Sequence, residues 1–338
     1  MNTGYAHARY RELLYQHGHG YPFWIPEPSD ALSKEQKAEG VRLGDVGILT
    51  DDGGFEYLWN VHLPADHPYN KSRVPSNFTP LAPLNETRDV RRIDAFYPEN
   101  TAISSSSVKK REIKLEAELQ PALVGGIVGG GAGFEFSTEG NSGAILTLPR
   151  GGLRIDAVKR NLYQKYAATH AESWYRYINQ DLQLGVQSGA LYLVTGTDKC
   201  SSWGVASFAK PSGSQSLTLK FVASGAASSD VSIKNSWSAD FGVEHRAKVV
   251  DPSELSQCVF ARGFVISVRD HLWAQICGMS VKTTSLYGAN NRPSFVSSSR
   301  PFARGADSNR NVDVQPIPDY LSQVCGVVPA RRSSHVLT

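Results

Sequence analysis

A long alternation of apolar and polar residues runs from Leu217 to Val243 and limits what this chain can fold into. A period of two is typical of extended strands with one apolar and one polar face. Small residues at 225–229 interrupt the pattern, so the sequence predicts one long hairpin over 215–245. Such a hairpin either packs one face on a core or lines a membrane pore, with lipid on one side and water on the other.

A second alternation begins near Ile113 and leads into a glycine-rich run at 125–133. The chain then returns through Phe134, so we predict a second long hairpin over 108–148. The glycine run lacks the Gly-Lys-Ser/Thr ending of a phosphate-binding loop and precedes a strand instead of a helix. Two interpretations stay open for it, a mobile apolar loop and a hairpin tip able to enter lipid.

Strand length favours the pore interpretation of these hairpins. A strand that crosses a membrane needs about 9–11 residues, whereas strands of globular proteins usually have about 5–6. Both arms of the 215–245 hairpin reach the longer value. The predicted membrane-inserting residues are Ile113, Leu115, Leu119, Leu217, Leu219, Phe221, Val231, Ile233, Trp237 and Phe241.

Composition is that of a globular chain. Of 338 residues, 41% are hydrophobic and 20% charged, and the net charge of +3 suits anionic membranes without calling for nucleic acid. Four widely spaced cysteines and no apolar signal segment predict a cytoplasmic protein. No run reaches the roughly 18 apolar residues of a membrane-spanning helix.

Strands outnumber helices in the predicted elements, so we expect an α+β fold with a twisted, mostly antiparallel mixed sheet. Residues 1–40 are expected to form a helical arm and 41–286 the core. Within that core, strands at 41–50 and 55–63 flank a turn, and a proline-rich connection follows at 64–107. Residues 287–338 are polar at their start and are expected to form a flexible tail.

The clearest predicted helix spans 153–178 and combines basic with aromatic side chains. Three interpretations are open: an amphipathic helix on a sheet, a lipid contact at a membrane surface or an RNA contact. The first is the ordinary outcome, and lipid is favoured over RNA. The predicted lipid-binding residues are Arg154, Lys159, Arg160 and Lys165.

The chain offers little for catalysis. His17 with His19, and His62 with Asp66 and His67, are the densest histidine clusters, yet neither completes a ligand motif. Cys200 lacks the glycine-flanked elbow of a nucleophile. We therefore predict no catalytic residue, no metal, no cofactor and no enzymatic activity.

Several segments resemble an uncharacterised family of intracellular proteins from mushroom-forming fungi. The matching segments are Gly44–Thr50, Leu63–Pro68, Leu191–Gly196, Ser202–Ala206 and Cys258–Gly263, which together span most of residues 20–270. The strand Leu191–Gly196 is also similar to one in fungal gasdermin-like pore-forming proteins.

The second resemblance implies a latent pore former that binds acidic lipid, oligomerises with its own copies and inserts its hairpins. It also implies an inhibitory C-terminal tail that an activating protease removes, for which Arg300 and Arg304 are candidate cleavage sites. The proline-rich connection has no counterpart in that family. The alternative is a non-enzymatic module that binds a carbohydrate or a protein through the loops around Trp24, Trp59 and His67.

Overall fold

The computed structural model describes residues 6–115, 131–209, 217–223, 235–239, 242–268 and 312–316. It confirms the predicted α+β class, with antiparallel sheets and few helices. Every strand pairing in these residues is antiparallel, and the strands divide into one eight-stranded and two four-stranded sheets.

Sheet A, the eight-stranded sheet, is built around the fully buried strand β10. Its neighbours are β15 on one side and β2 and β9 on the other, each pairing with a different stretch of β10. The strands of sheet A are β1 (Tyr21–Pro22), β2 (Asp45–Leu49), β3 (Phe55–Asn60), β4 (Val90–Tyr97), β9 (Gly152–Ala157), β10 (Leu191–Cys200), β15 (Gln257–Val268) and β16 (Val312–Pro316). The predicted hairpin at 41–63 is present as β2 and β3.

Sheets B and C have four strands each. The order is β14-β11-β8-β5 in sheet B and β13-β12-β7-β6 in sheet C. Sheet B contains β5 (Thr101–Ser104), β8 (Ser142–Leu148), β11 (Ser202–Ala209) and β14 (Val243–Val249). Sheet C contains β6 (Val108–Leu115), β7 (Gly131–Thr138), β12 (Leu217–Ala223) and β13 (Asn235–Ala239).

Sheet B lies between two hydrophobic clusters because alternate side chains of its strands point to opposite faces. Leu146 contributes to a cluster with Phe260 of sheet A, whereas its neighbour Ile145 contributes to a cluster with Phe221 of sheet C. Helix α1 (Ala6–Tyr15) adds Tyr10 and Leu14, both fully buried, to the first of these clusters. The N-terminal arm is therefore packed into the body of the protein.

Helix α4 (Arg160–Arg176) is shorter than the predicted helix and continues as a π-helix over Tyr177–Asp181. The expectation that the helix starts at 153 is wrong, because Gly152–Ala157 pairs with β10 and β4 as strand β9. The buried side of α4 packs on sheet A and consists of Tyr163, Tyr166, Ala167, Ala171, Trp174 and Tyr175. Two short helices, α2 (Lys34–Glu39) and α3 (Glu86–Asp89), complete the described helices.

Two further expectations are corrected by the strand pairings. The proline-rich connection at 64–107 contains the short helix α3 and two strands, since β4 pairs with β9 and β5 with β8. Part of the predicted C-terminal tail also belongs to sheet A, because Val312–Pro316 pairs with residues 264–268 of β15. The edge position of β4 explains why its charged residues concealed a strand in the sequence.

Candidate membrane-facing site

Strands β6 and β7 of the first predicted hairpin and β12 and β13 of the second lie side by side in sheet C. The ends of the predicted spans at 148 and 245 belong instead to β8 and β14 of sheet B. Strand β7 of the first hairpin pairs with β12 of the second, with Phe134 opposite Phe221 and Thr138 opposite Leu217. Because β12 starts where β7 ends, the open ends of both hairpins point to the same end of the sheet. Sheet C therefore joins both hairpins into one four-stranded unit.

The odd face of β12 is buried against sheet B. Leu219 and Phe221 are fully buried, and Leu217 is 8% exposed. The ring of Trp237 lies 4.8 Å from that of Phe221 and is itself half-buried. Lys220, between the two buried positions, is exposed. In this conformation the apolar face of the second hairpin thus rests on a protein core, the first of the two destinations open to an alternating hairpin.

The register gives the first hairpin a different orientation from the one its sequence suggests. Glu112 pairs with Phe134 and Lys110 with Phe136, so these charged residues share the core face of sheet C. The Lys110 ammonium lies 4.8 Å from the Phe134 ring centre, which agrees with that assignment. Positions 113 and 115 pair with Gly133 and Gly131 and are thus out of register with Phe134 and Phe136.

Several predicted site residues lie outside the described residues. These are Leu119, Val231, Ile233 and Phe241 of the hairpins, most of the glycine-rich run, and the candidate cleavage sites Arg300 and Arg304. Their assignments stay predictions.

Three of the predicted lipid-binding residues lie at the start of α4 and reach solvent. The Lys159 side chain is half-exposed and forms an ion pair of 2.7 Å with Asp89. Arg160 is 58% exposed and lies 3.9 Å from Asp156. Lys165 is exposed one turn further along the helix. Lys159 with Arg88 holds the pKa of the Asp89 carboxyl far below its usual value.

Arg154, the fourth predicted lipid contact, lies on strand β9 and not on a helix. Its guanidinium donates two hydrogen bonds to Asp198, of 2.9 and 2.7 Å, and its side chain is 16% exposed. Arg262 donates to the same carboxylate at 2.8 Å, and the Tyr97 hydroxyl donates to it at 2.7 Å. A lipid headgroup would have to compete with this buried carboxylate, so Arg154 is a structural residue in this conformation.

The structure adds surface residues that the sequence did not single out. Large apolar side chains exposed in the described part of the chain all flank α4: Val158, Leu162, Leu182 and Leu184. Arginines of α3 and β4 lie near its first end because β4 pairs with β9, which leads into α4. Periodicity alone does not show which face of a helix meets a partner.

The histidine and cysteine candidates form no common site. His62 is buried, with its ring nitrogens 2.8 Å from the Ala82 carbonyl and from the Tyr163 hydroxyl. Asp66 is exposed, and Cys200 is fully buried, so that burial raises the pKa of its thiol. Across the described ranges no group of three His, Cys, Asp or Glu residues is placed to share a metal ion.

His19 packs beside the Asp198 cluster. Its Nδ1 lies 3.1 Å from Nη2 of Arg154, and its carbonyl accepts from Arg262. Burial, followed by the charge of Arg154, lowers the pKa of His19 to about 4. His17 stacks on it with ring centres 6.4 Å apart. The pair therefore fastens the N-terminal segment to sheet A.

The aromatic residues proposed for a binding module do not form one surface. Trp59 is fully buried against Trp174, whereas Trp24 packs on Tyr10 of α1. Only the half-buried His67 lies in an exposed loop. A ligand site that uses Trp59 would require the core between sheet A and α4 to open.

None of the helices in the described part of the chain is long and apolar enough to cross a membrane. No family model, no curated protein and no solved structure matches this chain. The resemblances to the fungal families therefore stay predictions.

Proposed function

We propose that this protein binds anionic membranes, oligomerises and permeabilises them by inserting its two hairpins. The observation that supports the proposal best is the pairing of both hairpins into sheet C with their open ends at the same end. Two hairpins in that arrangement enter a bilayer together, without breaking the β7–β12 pairing that joins them.

The lipid-facing side is assigned to the face that holds Phe134, Phe136 and Phe221. In the described structure this face is buried against sheet B, so insertion requires sheet C to separate from sheet B. Lys110 and Glu112 share this face on the outer strand β6. They lie toward the open end of the hairpin, where a charge at the membrane interface costs about 0–1 kcal/mol instead of about 2–4 kcal/mol at the midplane.

The basic residues Lys159, Arg160 and Lys165 are the proposed first contact with acidic lipid. Removal of the tail by a protease, with Arg300 or Arg304 as cleavage sites, is the proposed activating step. The protein is proposed to be cytoplasmic until it moves to the membrane, to act without cofactor or catalysis and to have no nucleic-acid partner.

A pair of single substitutions in the second hairpin tests the inserting face. By sequence, Ile233 continues the odd apolar positions of the Leu217–Val243 alternation, and Ser232 is its even neighbour. We expect Ile233→Asp to abolish dye release from vesicles that contain phosphatidylserine, because it places a charge in lipid. Ser232→Asp should preserve release, because it faces water.

Both variants should bind vesicles as the unsubstituted protein does, measured by flotation. The assay is run with the full chain and with the chain cut after Arg300 or Arg304. If neither form releases dye at micromolar concentration, the pore proposal is wrong. Equal effects of the two substitutions would exclude the assigned lipid face.

A further inference from the structure

Helix α4 has an exposed side that is apolar at both ends. The first end consists of Val158, 58% exposed, and Leu162, 43% exposed. The second end consists of Leu182, 37% exposed, and Leu184, 49% exposed. Helix α4 is about 25 Å long at the helical rise of its 17 residues, and the π-helix extends it further before Leu182.

Between the two ends the helix presents a continuous polar face. The exposed positions Leu162, Lys165 and Thr169 recur every three to four residues, opposite the side that packs on sheet A. Further along, Arg176 pairs with Glu172 at 2.9 Å, and both side chains are 38% exposed. The exposed side of the helix therefore has its large apolar residues only at its two ends.

The second end is held in a strained conformation. Gln183, between the two exposed leucines, has a φ of 56°, a left-handed value that a residue with a side chain adopts at an energetic cost. The π-helix at Tyr177–Asp181 precedes it, and its carbonyls at Tyr177 and Ile178 accept from Leu182 and Leu184. The fold thus keeps both leucines at the surface, and strain of this kind is common at functional sites.

Basic residues surround the first end. Arg88 is 71% and Arg92 56% exposed, near Lys159 and Arg160 of the helix start. The carboxylates there are Glu86 and Asp94, which are exposed, and Asp89 and Asp156, which are mostly buried. The exposed charge at this end is therefore mainly positive.

The second end has its own basic residues. Ser72 accepts a hydrogen bond from the Tyr177 hydroxyl at 3.3 Å, which places the exposed Lys71 and Arg73 next to the π-helix. Asp181 is the exposed carboxylate on this side. Apolar tips among basic residues fit a bilayer surface, where leucines enter the acyl boundary and cations meet anionic headgroups.

We propose that α4 docks flat on an anionic lipid surface through both of its ends. The proposal deepens the membrane function above and rests on it for the choice of lipid as the partner. It adds the leucine loop Leu182–Leu184 and the arginines of α3 and β4 to a contact otherwise limited to the helix start.

The test measures binding of the full chain to vesicles by flotation, with neutral phosphatidylcholine vesicles compared with vesicles that also contain phosphatidylserine. Leu182→Asn with Leu184→Asn, and separately Val158→Asn with Leu162→Asn, should each weaken binding to the acidic vesicles by about tenfold. Leu182→Met with Leu184→Met is the matched control and should bind as the unsubstituted chain does. Arg88→Gln with Arg92→Gln should weaken binding and reduce its dependence on salt.

The outcomes separate this inference from the pore proposal. Binding without dye release leaves the docking of α4 in place and rejects the pore. Dye release with unchanged binding of the asparagine variants rejects docking through α4 and leaves the pore. Loss of binding at one end alone rejects the two-ended contact. If the chain binds no vesicle and instead associates with itself through the leucines, seen by light scattering, the occupant is a second copy and the lipid contact is excluded.

Discussion

Replacing Phe221 by alanine tests the placement of the alternating hairpin on the core of sheet B. The Phe221 side chain is fully buried. Its ring centre lies 6.4 Å from that of Phe134 and 4.8 Å from that of Trp237, and the ring fills the space where a side chain on Gly204 would lie. Removal of a buried phenylalanine side chain costs about 3–5 kcal/mol of unfolding free energy, because apolar burial is lost and a cavity remains.

Urea denaturation followed by tryptophan fluorescence measures this cost, since Trp237 lies beside the substituted ring. At a denaturant slope of about 3 kcal/mol/M, a loss of about 4 kcal/mol lowers the midpoint by about 1.3 M. The matched control is Lys220→Ala, one residue away on the exposed face, for which we expect a change within about 0.5 kcal/mol.

A comparable loss in the two variants would refute the assignment of faces, because Lys220 is exposed whereas Phe221 lies in the core between sheets B and C. A loss below about 1 kcal/mol for Phe221→Ala would refute the packing of sheet C on sheet B.

Three further predictions concern other contacts. Gly204→Ala should destabilise the protein by about 1–3 kcal/mol in the same urea assay, because its new Cβ would lie 2.3 Å from a Phe221 ring carbon. Because the proposed insertion requires sheet C to separate from sheet B, this variant should also release vesicle contents faster. A slower release would contradict the proposed opening. Asp198→Asn should cost about 3–5 kcal/mol, because Arg154 and Arg262 would then lose their shared buried carboxylate, and a neutral urea midpoint would show that the cluster is not structural. Stability should fall as pH drops from about 6.5 toward about 4, because folding lowers the pKa of His19 and the native state binds fewer protons than the unfolded chain. His19→Gln should remove part of that acid sensitivity, while the neighbouring groups Arg154, Asp198, Arg262 and His17 stay in place. If the difference between the urea midpoints at pH 6.5 and pH 4 is the same in this variant, His19 is not the source of the acid sensitivity.

Local patterns were reliable where a strand meets one core and one polar surface. The alternation of Leu217, Leu219 and Phe221 predicted β12 and its buried side correctly, because side-chain direction in a strand follows from backbone geometry alone. The turn residues Asp51 to Gly54 likewise predicted the β2–β3 hairpin.

The missed elements are those whose environment is set by distant residues. Arg154 and Ile155 lie within the predicted helix 153–178, yet β10 and β4 pair with them on both sides and make them a strand. Similarly, β4 has arginines and an aspartate at exposed positions of an edge strand, so nothing in its sequence alternates cleanly. Propensity is a weak guide in such places because tertiary pairing overrides it.

In the candidate site, too, local sequence predicted some residues and tertiary structure decided the others. Lys159, Arg160 and Lys165 were recognisable as an exposed basic cluster from their spacing alone. The Arg154–Asp198 contact joins residues 44 positions apart, and the arginines of β4 reach the start of α4 only through the β4–β9 pairing. Neither contact can be predicted from the spacing of residues along the chain.

By itself the sequence determined that this chain forms antiparallel hairpins, and which side of the second hairpin is apolar, because both follow from a period of two in neighbouring residues. Only the tertiary structure decided that the two hairpins share one sheet and that the apolar side of the second is covered by sheet B. It also decided that Lys110 and Glu112, and not positions 113 and 115, pair with Phe136 and Phe134. The physical reason is that register and sheet packing arise from contacts between distant residues, and a shift of one residue in register reverses every side chain of a strand.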